Sequence, residues 1–105
     1  MFHAKIEYMK QMNANKALAP EIHVPSKSEL DEAQVTDWGI WEKEVADFDY
    51  HYDSTEECFF LEGEVTIVTK NGEYLIRKGD FVTFPKGLDC KWHITDAVKK
   101  HYRFS

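Results

Sequence analysis

Lys70-Asn71-Gly72-Glu73 lies between two segments of alternating apolar and polar residues, and Asn-Gly accepts the positive φ that a two-residue type I′ hairpin requires. A hairpin there commits the second half of the chain to antiparallel strands. From Trp38 onward, runs rich in aromatic and β-branched residues are broken about every 5–10 residues by Gly, Asp, Asn or Pro, the rhythm of an all-β domain. Strands are expected near Gly39–Val45, Phe48–Tyr52, Glu57–Leu61, Glu64–Thr69, Glu73–Arg77, Phe81–Phe84, Cys90–Ile94 and Lys99–Phe104. Gly63 and Gly79 supply permissive backbone for two further reversals, so at least four consecutive strands should run up and down. Pro85-Lys86-Gly87 ends the strand before it, because proline cannot donate to a ladder.

Upstream the pattern weakens. Ala4 to Met12 suits a short strand or an extended arm, and Pro20 and Pro25 interrupt any continuous helix. Ser26 followed by Glu29 has capping-box spacing, which predicts a helical turn over Lys27 to Glu32. The division expected is an amino-terminal arm over 1–35, belonging to the same domain, and a β-barrel over 36–105. Such an arm would gain stability by covering a sheet edge, its own or that of a partner in a homodimer.

With 105 residues, 43% of them apolar, one core can form without disulfide staples. The formal net charge of −6, from 19 acidic and 13 basic residues, opposes binding to nucleic acid. No run is long and apolar enough for a signal peptide or a membrane span, so a cytoplasmic protein is expected. Two cysteines, Cys58 and Cys90, are too few for a disulfide framework, and reduced thiols are the default.

Two stretches resemble the motifs of the cupin superfamily, commonly written G-x5-H-x-H-x3,4-E-x6-G and G-x5-P-x-G-x2-H-x3-N. Gly79 through Cys90 reproduces the second as far as its histidine, where Cys90 stands, and Ile94 replaces the final asparagine. In the first, Glu56 and Gly63 keep the E-x6-G spacing. Counting back three residues from Glu56 puts Tyr50 and Tyr52 at the paired-histidine positions, and counting back four puts Asp49 and His51 there. The segments around Trp41, Tyr50, Phe84-Pro85-Lys86-Gly87-Leu88-Asp89-Cys90-Lys91-Trp92 and His101-Tyr102-Arg103-Phe104 resemble the small cupins grouped with the ureidoglycine aminohydrolase cupin domain. The resemblance covers Trp38 to Phe104 and implies a cupin-type antiparallel β-barrel, the double-stranded β-helix or jelly roll. Full ureidoglycine aminohydrolases resemble two fused cupin domains that hold manganese through histidines.

A polar pocket inside the barrel would then be lined by Trp41, Tyr50, Tyr52, Glu56, Cys58, Cys90 and Trp92. Glu56 is the candidate general acid or base, with Tyr50 or Tyr52 beside it. Each candidate has a plainer role to weigh: a hydrogen-bonded carboxylate at the barrel mouth for Glu56, packed phenols for the tyrosines, and small buried hydrophobes for Cys58 and Cys90. Trp38, Trp41 and Trp92 supply core area or a stacking surface. His101, opposite in phase to Tyr102 and Phe104, is expected at solvent or a dimer contact.

The favoured expectation is a small-molecule-binding cupin without a cofactor, its acid–base chemistry falling on Glu56 and a tyrosine. The alternative is a metal-dependent hydrolase or oxygenase in which His51, Glu56 and Cys90 bind zinc, iron or manganese. That register would turn Tyr50 and Tyr52 outward. A non-catalytic ligand sensor with the same pocket is a third.

Overall fold

Two strands carry most of the architecture, and both are long because neither is broken where the sequence suggests. The computed structural model describes residues 18–105, so the strand or arm expected over Ala4 to Met12 lies outside the described residues. In chain order the elements are β1 (Glu21–His23), helix α1 (Lys27–Ala33), a 3-10 turn (Val35–Asp37), β2 (Gly39–Lys43), β3 (Ala46–His51), β4 (Glu56–Thr69), β5 (Gly72–Arg77), β6 (Phe81–Phe84) and β7 (Asp89–Phe104). The 14 residues of β4 and the 16 of β7 pair antiparallel along almost their whole length.

Along the outer edge of β7 run β2 and then β3, end to end. Along the outer edge of β4 run β5 and then β6, also end to end, with β1 added beyond β6. The sheet therefore behaves as a ribbon of four long bent strands, β5 with β6, β4, β7, and β2 with β3, and the short β1 is added outside β6. Residues from both halves of this ribbon, among them Phe60, Ile67, Phe84, Trp92 and Ile94, form one buried cluster. The result is the expected all-β barrel of cupin type.

Two of the expected reversals are corrected by this topology. Gly63 does not end a strand: it sits inside β4, where the pairing with β7 shifts register between Phe60 and Val65. The bulge changes which residues face inward, from Glu56, Cys58 and Phe60 before it to Val65 and Ile67 after it. Gly79 is likewise a jog within one edge. Gly79 N–H donates to Phe60 O (2.8 Å) and Phe60 N–H to Asp80 O (3.0 Å), so β6 resumes pairing with β4 in the direction β5 was already running.

The hairpin falls where Asn-Gly predicts, but its turn is not type I′. Pairing closes at Thr69 and Gly72, the loop is Lys70-Asn71, and the positive φ is at Gly72 (141°), not at Asn71. Thr69 Oγ1 fixes the loop by accepting from Asn71 N–H (3.0 Å) and donating to Gly72 O (3.1 Å). At α1 half of the capping box forms: Ser26 Oγ accepts from Glu29 N–H (3.1 Å). The Glu29 carboxylate turns instead to His23 Nε2 at 2.7 Å, tying the helix to β1.

Among the described residues no helix is long and apolar enough to cross a membrane.

Candidate functional site

The turn that carries the second motif also fixes one wall of the pocket. Gly87, at φ 92°, brings its N–H within 2.7 Å of Tyr52 O, and Leu88 O accepts from Tyr52 N–H at 2.9 Å. Tyr52 is thereby clamped just after β3, with its ring stacked on Phe84 (centroids 4.8 Å apart, planes 5° apart). Tyr50, two residues earlier and on the same face, meets it edge-on at 4.6 Å. The tyrosine register is the one adopted.

Trp41 on β2, Phe48 on β3 and Trp92 on β7 pack against one another, Phe48 and Trp92 stacked at 5.7 Å and both indoles edge-on at 5.6 Å. Together with Tyr52 they wall a cavity of about 210 Å³, at whose rim stand Tyr50 and Phe104. Its floor holds two charged groups, the only ones among the described residues that line it, Glu56 and Lys100.

Lys100 was not among the sequence candidates, and it organises the site. It is 4% exposed and Glu56 is 5% exposed. Lys100 Nζ donates to both Glu56 oxygens at 3.2 Å and to Cys58 Sγ at 3.3 Å. Its remaining surroundings are aromatic, with the ring centroids of Trp92 and Trp41 at 4.8 and 4.9 Å. Attraction of the ammonium to the faces of these rings adds to its pairing with the carboxylate. Two opposite charges so placed offset each other's desolvation, and removing either leaves the other stranded.

The two cysteines are free and buried, and neither forms the cavity wall. Cys58 lies beneath the site in contact with Lys100 and Glu56, and Cys90 lies in the core opposite Tyr50 on the neighbouring strand. Burial pushes the Cys58 thiol far up, an effect the nearby Lys100 charge only partly opposes. Burial, with the charge of Asp89, pushes Cys90 up to about 11. Burial raises the Tyr52 phenol strongly as well, with Glu56 adding to the effect. Both thiols and this phenol are therefore neutral at physiological pH, and Tyr52 can serve as a hydrogen-bond donor but not as a phenolate base.

These raised values set the alkaline limit of stability. In the unfolded chain the thiols titrate near 9.0, while in the fold they keep their protons, so the native state binds more protons above that pH. Stability is fully present below pH 9 and is expected to fall above it by up to about 1.4 kcal/mol per pH unit for each such group. For Cys90 the loss is complete near pH 11. Urea midpoints measured from pH 7 to 11 should decline past pH 9, and less steeply for the Cys58→Ala/Cys90→Ala variant.

The three residues of the metal alternative do not converge. His51 points away from the pocket, its Nδ1 2.6 Å from Asp89 Oδ1 and its side chain 54% exposed, because strand alternation sends it opposite to Tyr50. Glu56 is already held by a cation, and Cys90 keeps its proton. Among the described residues no three His, Cys, Asp or Glu side chains are arranged to hold a metal ion. The residues at these positions do not fit a histidine-held metal of the kind the cupin motifs imply.

Two further expectations are revised. His101 is not at solvent: it is 8% exposed, on the outer face of the sheet opposite Phe59 and in the cleft that Val35 of the 3-10 turn also lines. Trp38 does not reach the pocket. Its Nε1–H donates to Ala33 O at 3.0 Å, and the Arg103 guanidinium lies over its ring at 4.3 Å on the outer surface.

A bent antiparallel sheet around an aromatic pocket, its turn built on the Pro85-Lys86-Gly87 motif, defines a small cupin. The chain belongs to the EutQ-like cupin domain family, whose model matches residues 30–102. A DUF861 family protein from Thermotoga maritima is 48% identical to it; the match covers 83% of this chain and 100% of that one, with a TM-score of 0.81. A putative ethanolamine utilization protein Q from Salmonella typhimurium is 23% identical over 63% of this chain and 54% of its own, with a TM-score of 0.58. The EutQ protein of Clostridium difficile is 17% identical over 82% of this chain and 68% of its own, also at 0.58. The last two share the fold. No curated protein matches the chain.

Proposed function

We propose that the protein binds a small organic molecule in the aromatic pocket, with the Glu56–Lys100 pair as its polar anchor and its acid–base couple. The observation that carries this reading is the pair itself: two charges taken out of water on the floor of a cavity, where an apolar floor would pack as well or better. Buried ionic groups of that kind concentrate at functional sites. At about 210 Å³ the cavity is below the roughly 300–1,000 Å³ that holds drug-sized ligands, which suits a metabolite of one ring or a short chain.

The flat faces of Trp41 and Trp92 favour a planar ligand. Lys100 donates to a ligand acceptor, Glu56 takes or returns a proton, and Tyr52 offers a neutral hydroxyl. From the likeness to the ureidoglycine aminohydrolase cupin domain we carry over no manganese chemistry, because tyrosines occupy the paired-histidine positions and Cys90 the other. The chain could equally serve as a sensor if the bound molecule leaves unchanged, and product analysis of the bound ligand separates the two.

The test uses the Glu56→Met/Lys100→Met double variant, which replaces the pair by side chains of similar volume. Small aromatic fragments that bind the unaltered protein by calorimetry should bind the variant at least about tenfold more weakly, the loss of one charge-assisted hydrogen bond. Equal affinity for both proteins would reject the pair as the anchor.

A further inference from the structure

Lys100 has what a carbonyl-capturing amine needs. Among the described residues it is the only buried lysine, and it faces the cavity. The amine sits between Trp41 and Trp92, where a ligand entering the cavity must meet it, and it becomes a nucleophile once its proton has somewhere to go. Glu56, 3.2 Å away through both oxygens, is that place. Cys58 holds the same nitrogen from below and, being a neutral thiol outside the cavity wall, does not compete for the electrophile.

We propose that Lys100 captures an uncharged aldehyde in this pocket as a protonated imine, a step that rests on the pocket being the ligand site. The ammonium passes one proton to Glu56, and the free amine forms a C–N bond to the carbonyl carbon while the oxygen is protonated. Glu56 then supports proton transfer to the carbinolamine hydroxyl, the C–O bond breaks and water leaves. Ammonium plus aldehyde gives iminium plus water, with one positive charge on each side and no oxidant or reductant.

The iminium carries its charge where the ammonium did. It stays opposite the Glu56 carboxylate and between the two indole faces, so the surroundings that hold the resting lysine also hold the adduct. The class of aldehyde follows from the same inventory. Among the described residues Lys100 and Glu56 are the only charged ones lining the cavity. A ligand carboxylate would meet the charge of Glu56 with no second cation to hold it, which disfavours 2-oxo acids and favours neutral aldehydes with a flat or short apolar remainder.

The experiment treats the full chain at neutral pH with equimolar benzaldehyde and cyanoborohydride, which fixes imines as stable secondary amines, and locates the adducts by peptide mass mapping. A parallel titration with benzyl alcohol, which has the ring but no carbonyl, follows the indole N–H resonances of Trp41 and Trp92. The expected result is labelling of Lys100 at least about tenfold ahead of any exposed lysine, the ratio set by about 1.4 kcal/mol. If the alcohol moves both indole resonances while the label spreads over exposed lysines and spares Lys100, aldehyde capture is overturned and the pocket reading survives. If neither compound moves the indoles and Lys100 is unlabelled, both fall.

Discussion

Lys100→Met alone should lower the stability of the fold by about 3–5 kcal/mol, and the Glu56→Met/Lys100→Met double variant should recover most of that loss. The single change strands the Glu56 carboxylate beneath aromatic rings, at 5% exposure, with its cation gone. The double change removes both charges and leaves two flexible apolar side chains to fill the space. A chemical-denaturation cycle over the four proteins measures the coupling directly. In a domain of this size, each kcal/mol corresponds to roughly 4–8 °C in melting temperature, so the single variant should be easily resolved from the unaltered protein. Near-equal stability of the single and double variants would mean the two side chains do not form a buried pair.

The second large effect belongs to the bulge that re-phases β4. A Cβ on Gly63 would lie 2.3 Å from the carbonyl oxygen of Ala97 and 2.8 Å from that of Asp96, backbone atoms that cannot swing aside, and the residue holds φ at 97°. Gly63→Ala should therefore cost about 2–5 kcal/mol, the backbone conformation and the collision added together. Gly79 is the control: its φ is 94°, but a Cβ there meets nothing within 4 Å, so Gly79→Ala should lose only about 1–2 kcal/mol. Equal losses at the two positions, read from urea midpoints, would show that the close crossing of β4 and β7 is not what requires glycine.

Much of the barrel could be read in advance because its signals are local. Alternation, the Asn-Gly dipeptide and the Pro85-Gly87 turn each act over a few residues, and Ser26 caps α1 as its spacing predicts. The errors came where a local signal has two geometric outcomes. A glycine with positive φ serves a reversal or a bulge equally well, and only pairing between residues far apart in sequence decides, as β7 does at Gly63 and β4 at Gly79.

The pocket divides along the same line. Motif spacing together with the family resemblance pointed to Trp41, Tyr50, Tyr52, Glu56 and Trp92, and all five line the cavity, whereas Cys58 and Cys90 do not. Lys100 was missed although the parity was available: β7 carries inward residues at Cys90, Trp92, Ile94 and Val98 without a change of phase, and Lys100 is next. Reading two short strands in place of one long one broke that count, and a lysine is ordinarily a solvent residue. Nothing local marks a buried ammonium. It becomes intelligible only when Glu56, 44 residues earlier in the chain, is brought beneath it.

The most direct test of the account follows the three indole N–H resonances while small aromatic fragments are titrated into the labelled protein. Trp41 and Trp92 wall the cavity, whereas Trp38 is held on the outer surface by Ala33 and Arg103, so each protein molecule carries its own control. The account predicts saturable shifts for Trp41 and Trp92 with Trp38 unmoved, and their loss in the Glu56→Met/Lys100→Met variant. Shifts confined to Trp38, or shifts that persist unchanged without the Glu56–Lys100 pair, would contradict it.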